Sequence, residues 1–146
     1  MGSGEANKNV LRGALKAYEL GDFDPVLSLL DDNVVWTSNA LAGHYRFGCR
    51  REGRAGVIEA LSMIATDFAI ERYMVSELIG ECDVVWAACQ IEAHDRRSGR
   101  PVSLALINRW QFQDGKIVSC SEFFDTAGAL HQQGRIDATV APAMRA

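Results

Sequence analysis

From Phe68 onward the chain reads as four strand-length runs, about 68–79, 84–94, 102–112 and 116–124, separated by short breaks that hold Gly80-Glu81, Arg97-Ser98-Gly99-Arg100 and Asp114-Gly115. The runs are rich in β-branched, aromatic and other apolar residues, and the breaks carry the glycine-containing pairs that close hairpins. Connections this short join only antiparallel neighbours, because a parallel pair needs a crossover of a dozen residues or more. More than a third of the chain is thereby committed to an antiparallel meander.

The residues before Phe68 follow a different period. Between about 7 and 20, Val10, Leu11, Ala14, Leu15, Ala17 and Tyr18 recur at three- and four-residue spacing, which predicts a helix with one buried face, ended by Gly21. Asp24 is expected to cap a short second helix that opens on Pro25 and runs through Val26, Leu27, Leu29 and Leu30, with Asp31-Asp32-Asn33 breaking it. Val34-Val35-Trp36-Thr37 predicts a strand, and residues 38–52, holding Gly43, His44, Tyr45, Arg46 and Gly48, read as an irregular stretch long enough to suggest function. Val57, Ile58, Leu61, Ile64 and Ala65 predict a third helix over 53–67, and Asp125-Thr126 caps a last short one over 127–133.

Helices first and hairpin-linked strands afterwards define an α+β domain with helices on one face of an antiparallel sheet. With 146 residues the chain has the size of one domain, its core spanning about 7–133 and its ends, 1–6 and 134–146, expected to be loose. Fifteen Lys and Arg against nineteen Asp and Glu give a net charge of −4, which excludes the basic surface that nucleic acid requires. No apolar run approaches the ~20 residues of a membrane span, and Met1-Gly2-Ser3-Gly4-Glu5 is no signal peptide, so a cytoplasmic protein without a membrane partner is expected. Cys49, Cys82, Cys89 and Cys120 lack C-x-x-C spacing and lie in mostly apolar segments, which predicts reduced thiols, with no metal and no cofactor.

Five strings stand in a telling order: Gly21-Asp22-Phe23, then Leu29 to Trp36 (Leu-Leu-Asp-Asp-Asn-Val-Val-Trp), Gly53-Arg54-Ala55-Gly56-Val57, Phe112-Gln113-Asp114-Gly115-Lys116-Ile117, and Glu122-Phe123-Phe124-Asp125-Thr126. In order and spacing, over about residues 7–133, the chain resembles the nuclear transport factor 2-like superfamily, in its SnoaL-like and ketosteroid-isomerase-related branch. The resemblance implies a curved antiparallel sheet wrapped around the N-terminal helices as a cystatin-like α+β cone with a conical pocket. Relatives include isomerases, cyclases, dehydratases and binding modules, so the fold leaves function to particular residues.

Ketosteroid isomerases, which the chain resembles, place a general-base Asp where Thr37 stands, a protonated Asp at the position of Asn108, and an oxyanion-binding Tyr near Ala14, with Tyr18 one helical turn away. Thr37 cannot abstract a carbon-bound proton near neutral pH, so classical ketosteroid isomerisation is not expected. SnoaL-like cyclases instead carry an acid/base carboxylate on the final strand, which here offers Glu122. Its facing depends on the hairpin at Asp114-Gly115, since a one-residue slip turns every side chain over. A bulge at Gly115 is expected to bring Glu122 level with Asn108, turning Val118, Cys120, Glu122 and Phe124 inward beside Leu104, Leu106, Asn108, Trp110 and Phe112.

The candidate catalytic pair is therefore Glu122 and Asn108, and the candidate substrate-binding residues are Thr37, His44, Trp36, Trp110, Phe124 and Leu106. Glu122 is equally a carboxylate that could anchor a neighbouring strand or an arginine, and Asp125, the fallback catalytic group, is more simply a helix cap. His94 alternates outward, His131 falls on the last helix, and no His-Asp dyad is visible. Arg50, Arg51 and Arg54 form a small basic cluster, read as a solvated one. Two functions fit: a cofactor-free acid/base enzyme acting on a small apolar or polyketide-like carbonyl compound, or a non-catalytic module that binds such a ligand. Outward-facing Trp86 among Ala88, Gln90 and Ile107 suggests a homodimer through the outer sheet face.

Overall fold

The computed structural model describes residues 3–137. The elements are α1 (Gly4–Glu19), α2 (Asp24–Leu29), β1 (Leu30–Ser38), β2 (Cys49–Glu52), α3 (Gly53–Asp67), β3 (Phe68–Glu81), β4 (Val84–Asp95), β5 (Pro101–Gln113), β6 (Lys116–Phe124) and α4 (Thr126–Gln132). One six-stranded sheet holds every strand in the order β2-β1-β6-β5-β4-β3.

The four C-terminal runs form the expected meander, each pairing antiparallel with the next. The sheet as a whole is mixed rather than antiparallel, because β1 runs parallel to β6, with Trp36 beside Cys120 and Ser38 beside Glu122. Some eighty residues separate these two strands in the chain, far more than a parallel crossover needs, so no hairpin dictates their direction. β2 is a strand inside the stretch expected to be irregular. It pairs antiparallel with β1 from Val35↔Glu52 to Ser38↔Cys49. Cys-Arg-Arg-Glu has neither apolar alternation nor length, as suits a charged strand at a sheet edge.

Local chemistry moves three other boundaries. Ser3 accepts a hydrogen bond from the Ala6 amide at 3.1 Å and starts α1 at Gly4, ahead of the first periodic residue, so residues 4–6 are helical rather than loose. Phe23, not Asp24, occupies the N-cap of α2, and the Asp22 carboxylate accepts from the Asp24 amide at 3.3 Å. α2 ends at Leu29, one residue earlier than expected, and Asp31, Asp32 and Asn33 beyond it lie within β1, where an irregularity between Leu30 and Val35 takes up the extra residues against β6. Part of the C-terminal end expected to be loose, residues 138–146, lies outside the described residues.

The β5–β6 hairpin reaches the expected register by another route. Asp114 and Gly115 both have positive φ (50° and 78°), so Gln113 and Lys116 close a two-residue turn without a bulge. The extra residue is Val118: Phe112 faces Ile117, Gln111 faces Ser119, and from there Asn108 stands opposite Glu122. Ile117 rather than Val118 therefore points into the core, where it is fully buried. With two further irregularities in β3, these bulges bend the sheet around α1 and α3. Leu11, Leu15, Val34, Val57, Val85 and Ile117 form the core between helices and sheet.

Candidate active site

The curved sheet and the helices enclose a cavity of about 120 Å³, many times the ~10–15 Å³ that one water requires. α1 supplies Leu15 and Tyr18, β1 Trp36, α3 Leu61 and Ile64, β3 Tyr73, β5 Leu106, Asn108 and Trp110, and β6 Cys120, Glu122 and Phe124. Among the described residues that line it, Glu122 is the single ionic side chain. The Val118 bulge puts it there: without the extra residue, Ser121 would stand level with Asn108 and Glu122 would face outward.

No hydrogen bond or ion pair reaches the Glu122 carboxylate among the described residues. Burial alone pushes its pKa up from 4.5 to about 7, because a charge taken out of water without a partner favours its neutral form. Asn108 is opposite in register and buried, but its Oδ1 lies 4.0 Å from the Cys120 thiol, the donor of a long, weak contact. Asn108 and Glu122, level in register, share no hydrogen bond among the described residues. Tyr73 Oη and Cys89 Sγ lie 3.3 Å apart, and the Tyr73 ring meets Tyr18 edge-on at 4.8 Å. Burial, and then the neighbouring acidic groups, raise the pKa of both phenols and of the Cys120 thiol, and burial raises that of Cys89 against the opposing hydrogen bond with Tyr73. Near neutral pH these four groups are protonated and uncharged, while Glu122 is poised between its two forms.

Six of the sequence-derived candidates line this cavity: Glu122, Asn108, Trp36, Trp110, Phe124 and Leu106. Two do not. Thr37 points to the other face of β1, where its hydroxyl donates to Ser121 Oγ at 3.0 Å, since alternation gives the inward place to Trp36. His44 is exposed in a separate surface groove, and the same loop sends Tyr45 and Phe47 to the cavity wall instead. Tyr45 donates to Gln133 Oε1 at 3.2 Å, which holds the loop against α4. Thr37→Val should consequently leave ligand binding within about twofold of the parent, as read by tryptophan fluorescence, and neither protein should shift the double bond of a β,γ-unsaturated ketosteroid above the buffer rate. A large loss of binding would return Thr37 to the site.

Tyr18 and Tyr73 are among the cavity-lining residues that the sequence-derived candidates do not include. Tyr18 was within reach, since it continues the buried stripe of Leu11, Ala14 and Leu15. Tyr73 was not, because the β3 irregularities between Ile70 and Arg72 and between Val75 and Glu77 break the alternation that would have turned it inward. The remaining charged candidates have structural partners. Asp125 caps α4 by accepting from the Gly128 amide at 2.9 Å, and Arg54 donates to Leu27 O at 3.1 Å. Arg50 pairs with Glu52 at 2.9 Å and Arg51 with Glu59 at 3.7 Å. His94 contacts Glu71 on the outer face at 2.7 Å.

A bent sheet closed over helices around one apolar cavity defines a small-molecule pocket protein of the nuclear transport factor 2-like cone class. The chain belongs to the SnoaL-like domain family, whose model matches residues 11–120. Solved structures agree on the fold. TerC, co-crystallised with polyporic acid, superimposes with a TM-score of 0.77 at 24% identity, over 88% of this chain and 98% of that one. An NTF2-like protein of unknown function from Burkholderia pseudomallei gives 0.76 at 24% identity, over 86% and 95%. Another NTF2-like protein, from Burkholderia thailandensis, gives 0.78 at 16% identity, over 93% and 100%. A search of the curated proteins found no match.

Proposed function

We propose that the protein is a cofactor-free acid/base enzyme acting on a small apolar or polyketide-like carbonyl compound. The observation that carries this reading is the Glu122 carboxylate, enclosed in an apolar cavity with no cation or hydrogen bond to lock it among the described residues, and held near a pKa of 7. A group with that pKa populates both protonation states at neutral pH, so it removes a proton from carbon beside a carbonyl and returns it elsewhere on the same molecule. Asn108 is level with Glu122 on the next strand, and its amide N–H is the donor this reading assigns to the oxygen on which negative charge develops. A carboxylate clamped by an arginine would have favoured a structural or purely binding role. The likeness to TerC, a protein crystallised with polyporic acid, supports a small organic ligand.

The test is to identify the small molecules released on denaturing protein purified from its native host, then to follow their conversion by parent and Glu122→Gln. Conversion lost in the variant with binding retained supports the enzyme. Binding without conversion by the parent assigns a ligand-binding module.

We also propose a cytoplasmic homodimer. All four cysteines are free thiols, as a reducing compartment would keep them, and no described helix is long and apolar enough to cross a membrane. Ile79, Trp86, Ile107 and Phe123 lie exposed on the outer face of adjacent strands, Trp86 at 41% and Phe123 at 45%. An apolar row of this kind is costly to leave in water. Sedimentation at micromolar concentration should give twice the chain mass, and Trp86→Glu should give the monomer. A monomeric parent protein would refute the dimer.

A further inference from the structure

The cavity has an electrostatic asymmetry that acid/base chemistry on a neutral carbonyl compound does not use. The titratable and polar groups that share the cavity with Glu122 or act on it are Tyr18 from α1, Tyr45 from the loop after β1, Tyr73 from β3, Cys89 from β4, Asn108 from β5 and Cys120 from its own strand, and apolar side chains of α3 and α4 complete the wall. None is cationic, and the titratable ones are uncharged near neutral pH. No arginine is among the described residues that line the cavity, and Arg51 and Arg54 of the basic cluster pair with Glu59 and Asp32. An anionic ligand would meet a carboxylate with no compensating charge, in surroundings where such repulsion is poorly screened.

We propose that the cavity selects apolar ligands bearing one ammonium group, with Glu122 as counter-ion and the rings of Tyr18, Trp36, Tyr73 and Trp110 as its walls. The ammonium supplies the one cation the site lacks and donates a charge-assisted hydrogen bond to the carboxylate. Burying an ion pair costs desolvation of both partners, and tyrosine and tryptophan faces offset part of that cost on the cationic side. This goes beyond the acid/base reading. It rests on the same cavity and carboxylate but requires no turnover, and in an enzyme such an amine is a competitive inhibitor.

Three probes of similar shape test the charge selection on the full chain: N,N-dimethylbenzylamine, its neutral carbon analogue isobutylbenzene, and phenylacetate. Binding is read from the fluorescence of the cavity tryptophans. Near pH 8 the amine should bind roughly tenfold tighter than isobutylbenzene, and phenylacetate should not bind. Lowering the pH to 5 should weaken the amine about 100-fold as Glu122, with a pKa of about 7, takes up its proton, while isobutylbenzene stays unchanged. In Glu122→Gln the amine preference should vanish with isobutylbenzene binding retained. Equal or tighter binding of the neutral probe to the parent near pH 8, phenylacetate binding as tightly as the amine, an amine affinity that does not fall at pH 5, or a preference kept in the variant would each overturn the proposal. The probe and pH comparisons use the parent chain alone, so a poorly folded variant does not decide the matter. Amine binding without conversion of a released native-host ligand would sink the enzyme reading and leave this one standing; Glu122-dependent conversion without amine selectivity would do the reverse.

Discussion

Glu122→Gln should be more stable than the parent protein at pH 8, by about 3 kcal/mol, and roughly equal to it at pH 4. In the unfolded chain Glu122 titrates at its ordinary value of 4.5, and in the folded protein at about 7. Below 4.5 both states carry the proton and the buried acid is neutral, so its contribution to stability is fully present. Between 4.5 and 7 the unfolded state releases the proton first, and stability falls by ~1.4 kcal/mol per pH unit. Above 7 the folded state holds an unpaired buried carboxylate, and the loss is complete. Gln keeps the shape and cannot ionise, so comparison with it at each pH cancels the other titrating groups. Urea denaturation of both proteins from pH 4 to 8 gives the curve, and NMR titration of the Glu122 carboxyl gives its midpoint directly. Parallel stability curves, or a midpoint near 4.5, would show that burial does not set its charge. The same substitution should lower conversion of the native ligand by ~10²–10⁴, the range for loss of a general acid/base. A variant that is more stable and inactive is the signature of a group kept for function against its folding cost.

Leu11→Ala should destabilise the fold by ~2–5 kcal/mol. Leu11 is fully buried on the inner stripe of α1 and is not a cavity-lining residue, so its truncation opens a new void rather than enlarging one already present. The stripe continues through Leu15 to Tyr18, which do line the cavity, so ligand binding should weaken as α1 loosens. Chemical denaturation measures the stability loss, and a change below 1 kcal/mol would show that α1 collapses to fill the gap.

The pattern of apolar residues was enough to place each helix and the long strands, because helical and extended periods are local properties of the chain. The hairpin meander followed from its short turns, and the α+β class from the order of the elements. Glu122 and Asn108 emerged as neighbours from hairpin arithmetic, although the predicted bulge at Gly115 stands at Val118 instead. Thr37 and His44 lie outside the cavity for related reasons: one residue of alternation gave the inward place on β1 to Trp36, and an irregular loop has no period from which to read that Tyr45 turns in while His44 turns out. Tyr73 was hidden by irregularities in β3 that carry no sequence mark.

What the sequence by itself determined is therefore what neighbours along the chain enforce: element type, hairpin pairing, and a carboxylate on the last strand. Only the tertiary structure decided the parallel β1–β6 pairing, the edge strand β2, and the enclosure of Glu122 without a partner. Those depend on contacts between segments far apart in sequence, where bulges reset the register and where burial, a property of everything packed around a group, sets its charge.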